Sequence, residues 1–247
     1  GCDKMDAIEQ LHEMIEKSKK IVFFGGAGVS TESGIKDFRS EDGLYSEKYP
    51  YPPEYMLSID LFQKDPKTFF DFYKEKLNCL NAKPNITHKY LKKLEDRGKL
   101  QAIITQNIDG LHQKAGSKNV YEIHGTIYQN HCTKCHKGYP PENVFHAKGI
   151  PTCDCGGVIK PDVVLYGEML PEAYSKAIAS LKGADMLIVA GTSLTVSPAN
   201  QLVMMFEGKY LVLINRTPTP YDSITTLTIH ENLKDVFNKI EELENRK

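Results

Sequence analysis

Four cysteines fall within 24 residues as two pairs, Cys132-x2-Cys135 and Cys153-x-Cys155. Paired thiolates at such spacing are what a tetrahedral zinc requires. The second pair is tighter than the usual two-residue gap, and His131, His136 and His146 are the nitrogen ligands that would replace one thiolate. Two disulfides are the competing arrangement; clustering without an export-signal pattern favours metal. Four protein ligands leave no open position for water, so the ion is expected to hold a small loop-rich unit together rather than to catalyse. A second group is Gly26-x-Gly28, directly after the apolar run Ile21-Val22-Phe23-Phe24. Glycines after a buried strand let the backbone turn sharply, so that following amides can cradle a pyrophosphate at a helix N-terminus. The dinucleotide fingerprint is incomplete: Thr31 stands at the third position, Gly34 comes three residues later, and the ribose-binding acid about 20 residues on has no clear counterpart. Asp37-Phe38-Arg39 then places an acid, an aromatic ring and a guanidinium where a plain surface turn has no need of them. A third group, Gln106-Asn107-Ile108-Asp109-Gly110-Leu111-His112, masses polar side chains after another strand, a ligand-facing position in open α/β sheets.

These groups need a frame to bring them together. Ile8, Leu11 and Ile15 recur at helical spacing and predict an amphipathic helix over 6–20. It leads into the strand 21–24, whose β-branched and aromatic residues read as buried on both faces. Residues 40–53 read as a long ordered loop, and 55–80 as helical, with Phe62, Phe69, Phe70, Phe72 and Tyr73 packing a core. Thr87 is the expected N-cap of a helix closed by Gly98. Strands are expected at 100–105, 120–123, 163–166, 186–190 and 210–214. Helices are expected from Pro171 to Leu181, from Ser197-Pro198 to Gly208, and along Leu233, Val236, Ile240 and Leu243. Helix, buried strand and polar turn repeat. The fold is therefore α/β, a Rossmann-like parallel sheet with helices on both faces, plus a small zinc-binding domain and a helical insertion. The expected division is 1–39, 81–125 and 163–247 for the sheet domain, 40–80 for the insertion and 126–162 for the zinc ribbon.

The 247 residues suffice for one large domain or a large and a small one. With 31 basic and 32 acidic residues the net charge is −1, which gives no footprint for nucleic acid or an anionic membrane. No apolar run reaches the length of a membrane span, and a cytoplasmic protein is expected.

Together the motifs resemble the sirtuins, NAD-dependent protein lysine deacylases, of the compact bacterial or archaeal type. The resemblance rests on Gly26-Ala27-Gly28-Val29-Ser30, Ser33-Gly34-Ile35, Asp37-Phe38-Arg39, Thr105 to Asp109 with Leu111-His112, and His124-Gly125. It continues through the four cysteines, Lys160 to Glu168, Gly191-Thr192-Ser193 and Asn215-Arg216, in the family's order from near residue 20 to near 235.

The resemblance implies that Ala27, Gly28, Thr31, Asp37, Phe38 and Arg39 form the loop over the nicotinamide ribose and pyrophosphate of NAD. Gln106, Ile108 and Asp109 would line the nicotinamide-ribose pocket, and Asn107 would position water or a ribose hydroxyl. Gly191, Thr192 and Ser193 would meet phosphate and ribose, Asn215 and Arg216 the adenosine side, and Asn232 and Leu233 the adenine. His124 would be the general base, a role suited to imidazole near neutral pH; His88 and His112 read as packed residues. In the family's scheme the acyl oxygen of a modified lysine attacks the ribose carbon as nicotinamide leaves. His124 then takes a proton from a ribose hydroxyl, and free lysine and O-acyl-ADP-ribose result. An acetylated protein or peptide would enter between the domains and pair with Val163 and Val164 by strand addition, beside Tyr166; a buried core strand is the competing reading of that run. The oligomeric state is open, a monomer being compatible with the sequence.

Three departures from the family pattern stand out: Gly25 for the common Thr, Lys36 for Pro and Tyr166 for Phe. Tyr73-x-x-Lys76 also matters, because members that prefer succinyl groups carry Arg in place of the Lys. Arg grips a carboxylate in bidentate fashion and Lys does not, so acetyl-lysine is expected to be preferred. The competing functions are a protein mono-ADP-ribosyltransferase using the same pocket and a non-catalytic zinc-ribbon binding module.

Overall fold

The computed structural model describes residues 5–36, 49–195 and 200–246, so Asp37, Phe38, Arg39, Ser197 and Pro198 lie outside the described residues. In chain order the strands are β1 (Ile21–Gly25), β2 (Leu100–Thr105), β3 (Val120–Glu122), β4 (Gly125–Cys132), β5 (Gly138–Tyr139), β6 (Ile159–Val163), β7 (Met186–Ala190), β8 (Tyr210–Ile214) and β9 (Leu227–Ile229). The helices are α1 (Ala7–Lys17), α2 (Pro53–Met56), α3 (Ile59–Lys64), α4 (Pro66–Lys76), α5 (Ile86–Asp96), α6 (Leu111–Lys114), α7 (Glu142–Phe145), α8 (Glu172–Ser180), α9 (Gln201–Met205) and α10 (Leu233–Asn245).

The larger sheet has the order β3-β2-β1-β7-β8-β9, and every pairing in it is parallel. Its strands alternate between two buried layers. Ile21 and Phe23 pack with α1, α5 and α10, while Val22 and Phe24 pack with α8 and α9. Burial on both faces is why β1 reads as an unbroken apolar run rather than an alternating one. Counted among themselves, the six strands run 3-2-1-4-5-6, the dinucleotide-binding order, which reverses between β1 and β7. The crevice beyond the carboxyl ends of those two strands is where such sheets bind ligands.

The smaller sheet, β5-β4-β6, is antiparallel and carries the cysteines. It shares one core with the helices of 53–76: Phe69, Phe70, Phe72 and Tyr73 pack with Ile127, Val144, Phe145, Ile159 and Cys153. The Tyr73 ring stacks on Phe145 at 5.2 Å. The insertion and the cysteine-bearing unit therefore stabilise each other.

Three expectations are corrected. The stretch 55–80 is broken into α2, α3 and α4, because Ser58 and Asp65 each accept from a backbone N–H two or three residues into a new helix and Pro66 opens α4. Asn85, not Thr87, is the N-cap of α5; Thr87 donates its N–H to the Asn85 side chain. The run 163–166 is not a strand of the parallel sheet. Val163 closes β6, whose alternating burial suits a one-sided antiparallel strand, and Tyr166 is exposed. The strands β4, β5 and β9, and β6 ahead of Val163, are additions. No helix among the described residues is long and apolar enough to cross a membrane.

Candidate active site and metal centre

At the sheet's reversal two glycine turns meet backbone to backbone. The Gly26 and Gly28 amides donate to Ala190 and Gly191 carbonyls at 3.1 and 2.8 Å. A Cβ on Gly28 would lie 2.6 Å from Gly191 Cα, and one on Gly26 2.7 Å from both Gln106 Oε1 and Thr192 Cβ. Gly191 itself holds φ 68°, which glycine adopts without steric cost. The chain beyond Gly26 does not enter the long helix of a standard fingerprint. It makes two 3₁₀ turns, Ala27–Val29 and Thr31–Ser33, the second ended by Gly34 at φ 84°. Thr31 turns its hydroxyl back onto the Gly28 carbonyl at 3.1 Å.

The polar segment after β2 interlocks with this loop. Asn107 Nδ2 donates to the Gly26 carbonyl at 2.9 Å and lies 3.3 Å from Ser30 Oγ. Ser30 Oγ donates to Asp109 Oδ2 at 2.6 Å, and the Leu111 N–H donates to Asp109 Oδ1 at 3.0 Å. Burial pushes the Asp109 carboxyl above the usual carboxylate range, and those two donors partly offset it. His124 follows β3 at the same sheet edge. Its Nδ1 sits 3.1 Å from the Gln106 carbonyl, an acceptor only, so Nδ1 carries a proton and Nε2 is the ring nitrogen left to exchange one. The Val164 N–H in turn donates to the His124 carbonyl at 2.8 Å, joining the segment after β6 to the same edge. Ile108 packs against the second core, and its carbonyl accepts from the Ile127 N–H.

The remaining expected residues lie farther along the edge. Thr192 accepts from the Leu194 N–H at 3.1 Å, and Ser193 and Thr195 hydroxyls pair at 2.9 Å. Asn215 directly follows β8, its amide on Thr217, with the exposed Arg216 beside it. Asn232 is the N-cap of α10, accepting from Asp235 at 2.9 Å, and Leu233 is buried in the first core, so both already have structural employment. Two residues passed over in the sequence join the site. Ser30 was visible within the glycine motif. Glu122, at the end of β3, has its carboxyl pushed up to about 7, by burial first and the nearby Asp109 second. His88 and His112 are buried and in edge contact at 4.8 Å; desolvation lowers their imidazoles to about 4 and 3.

The cysteines converge as the spacing suggests. All four Sγ atoms lie within 4.8 Å of one another. Cys132–Cys155 and Cys135–Cys153 are 3.4 and 3.6 Å apart, far beyond the ~2.05 Å of a disulfide. Ligands at about 2.3 Å in a tetrahedron stand roughly 3.8 Å apart, so the donor set fits zinc. No histidine belongs to the cluster; His131 pairs with Asp162 instead. Lys134 and Cys135 N–H groups point at Cys132 Sγ, the Tyr139 hydroxyl donates to Cys153 Sγ at 2.9 Å, and a Cβ on Gly157 would fall 2.5 Å from Cys132 Sγ. Donors onto the sulfurs favour thiolates, the metal-binding form. The cleft thus offers a side-chain-free turn for a dinucleotide, a buried carboxylate and carboxamide beside it, and an oriented imidazole.

The Sir2 family profile matches residues 26–198. The chain is 50% identical over 241 residues to the NAD-dependent protein deacetylase of Clostridium acetobutylicum, covering 96% of this chain and 98% of that protein. Two solved structures superpose with a TM-score of 0.87 each. One, described as Sir2 with a p53 peptide and NAD⁺, is 37% identical; the other, described as Sir2 bound to acetylated peptide, is 35% identical. In both cases 98% of this chain and 100% of the other is covered.

Proposed function

The chain belongs to the Sir2 family and is an NAD-dependent protein deacetylase, and on that premise we propose how its residues divide the reaction. The substrate is an acetylated lysine in a protein or peptide; a structural neighbour is described as bound to an acetylated peptide. NAD lies along the β1–β7 crevice. The loop of Ala27, Gly28 and Thr31 runs over its pyrophosphate and nicotinamide ribose and continues into Asp37, Phe38 and Arg39. Gln106, Ile108 and Asp109 face the nicotinamide end, Asn107 a ribose hydroxyl or water. Gly191, Thr192, Ser193, Asn215 and Arg216 follow toward the adenosine.

His124 is the general base. The observation that carries this is the Nδ1–H···O=C contact to Gln106, which presents Nε2 as a proton acceptor. With both substrates bound, the acetyl oxygen would displace nicotinamide at the ribose carbon; His124 would then take the proton of the ribose hydroxyl that attacks the acetyl carbon, and one water would complete release of the free lysine, leaving the acetyl ester on ADP-ribose. The backbone of Val163 and Val164 pairs with the extended substrate beside Tyr166, and Val164 is tied to His124 through its own N–H. When bound, zinc supplies rigidity to the β4–β6 unit through Cys132, Cys135, Cys153 and Cys155. Free thiols at those positions suit a reducing cytoplasm. We also read 1–39, 81–125 and 163–247 as the sheet domain, 40–80 as the insertion and 126–162 as the zinc ribbon.

Acetyl is preferred over succinyl. Lys76 offers a point charge rather than a fork, its ammonium lies 3.8 Å from Glu75, and Tyr73 is fully buried against Phe145. Mass spectrometry on NAD with acetylated and succinylated forms of one peptide tests both statements. Nicotinamide and O-acetyl-ADP-ribose should appear, faster from the acetyl form. ADP-ribose attached to protein would instead identify a transferase, and equal succinyl turnover would remove the acyl preference.

A further inference from the structure

We propose that Asn85 is a positioning residue for the nucleotide loop, one side chain both capping α5 and pinning the two 3₁₀ turns on either side of Ser30. Its Oδ1 accepts from the Thr87 N–H at 3.0 Å, the capping function. Its Nδ2 does something a cap does not require. It donates to the Val29 carbonyl at 2.8 Å and to Ser33 Oγ at 2.9 Å, the last residues of the first and second turns. Both amide hydrogens and the amide oxygen are therefore in use. Ser30, between those anchor points, is the residue that holds Asp109.

The anchor is itself fixed from behind. The Asn85 N–H donates to His88 Nδ1 at 3.0 Å, closing a reciprocal capping box at the start of α5. His88 is fully buried, and desolvation keeps its ring neutral, so Nδ1 remains an acceptor at neutral pH. From the packed helix the restraint passes through one amide to a loop whose short turns are closed by i→i+3 hydrogen bonds, poorer in geometry than those of an α-helix. The loop then approaches Gly191 with its geometry set by α5 as well as by β7.

The inference rests on the reading of this loop as the NAD site and makes Asn85 a determinant of NAD affinity rather than of peptide affinity. Two variants separate its jobs. Asn85→Ser keeps a side-chain oxygen that caps as well as Asn does but lacks the two N–H donors; Asn85→Ala loses both. The measurements are the melting temperature, NAD binding by calorimetry, and KM for NAD and for acetyl-peptide. Asn85→Ser should melt within about 2 °C of the parent while its Kd and KM for NAD rise about tenfold, the scale for one or two lost hydrogen bonds. The peptide KM should stay within about twofold. Asn85→Ala should melt lower with no further loss of NAD affinity. The proposal is overturned if Asn85→Ser binds NAD like the parent, or if both KM values rise together with a falling melting temperature, as a purely structural residue would produce. A parent enzyme that failed to bind NAD would overturn the reading of the loop and this inference with it.

Discussion

The parallel sheet and the cysteine-bearing unit solve the same problem, holding polar loops in place, by opposite means. In the sheet, every element of β1 and β7 is buried on both sides, and the loops at its edge are fixed by backbone approach: Gly28 against Gly191, Asn107 on Gly26, Ser30 on Asp109. The small unit has a one-sided sheet with a two-residue edge strand, β5, and concentrates its fixation in four sulfurs. Packing is distributed, so its loss at one point is partial. A metal centre is a single point on which the surrounding chain depends. The proposed division of labour follows this contrast: the candidate catalytic groups sit where geometry is secured by packing, and the four-cysteine cluster lies outside that sheet.

The largest difference between the two regions should appear on removal of the ion. Structural zinc contributes on the order of 10 kcal/mol to small domains that fold around it. Because α2 to α4 share the core of β4–β6, chelation should loosen both together. Thermal melting of the chelated protein should show an early transition for this unit and a later one, little shifted, for the sheet; a single unshifted curve would refute the dependence.

The corresponding break on the sheet side is Gly28→Ala. Its methyl would lie 2.6 Å from Gly191 Cα, backbone that cannot swing aside, so about 1–3 kcal/mol of stability should go, and NAD affinity with it. Calorimetry showing parent-like NAD binding would mean the two turns have more room than their contacts indicate.

A smaller effect sharpens the picture of the sheet's interior. His112 is buried and lowered to about 3, whereas an unfolded imidazole titrates near 6.5. Between those values the unfolded chain binds a proton that the folded chain refuses. The stability from the neutral ring is complete above pH 6.5 and falls as pH drops, by about 1.4 kcal/mol per pH unit. His88 acts in the same direction, and Glu122, raised to about 7, in the opposite one between about 4.5 and 7. The difference between parent and His112→Leu isolates one imidazole: the variant should lose less stability on going from pH 6.5 to 4.5 in denaturant titrations. Equal pH slopes would contradict a neutral, desolvated His112.

Legibility followed the same line between the two regions. The buried strands could be read because Ile21 to Phe24 and Met186 to Ala190 are continuous apolar runs, a local signal. The metal set could be read because ligand type and spacing are local too. Thr87 and Asn85 are both good capping residues, and what distinguishes Asn85 is its pair of bonds to Val29 and Ser33, more than 50 residues away in sequence. The three-way break of 55–80 is written in Ser58, Asp65 and Pro66, weaker signals than the run of aromatics around them. The shared core of insertion and zinc unit has no local signature, since Tyr73 and Phe145 meet only in three dimensions.

If the sheet edge performs the chemistry, His124 is its base. His124→Ala, assayed by mass spectrometry for O-acetyl-ADP-ribose and by calorimetry for NAD binding, tests it most directly. The variant should keep NAD affinity within a few-fold of the parent and an unchanged melting temperature, with a rate lower by about 10²–10⁴. Product formed at the parent rate would contradict that role for His124.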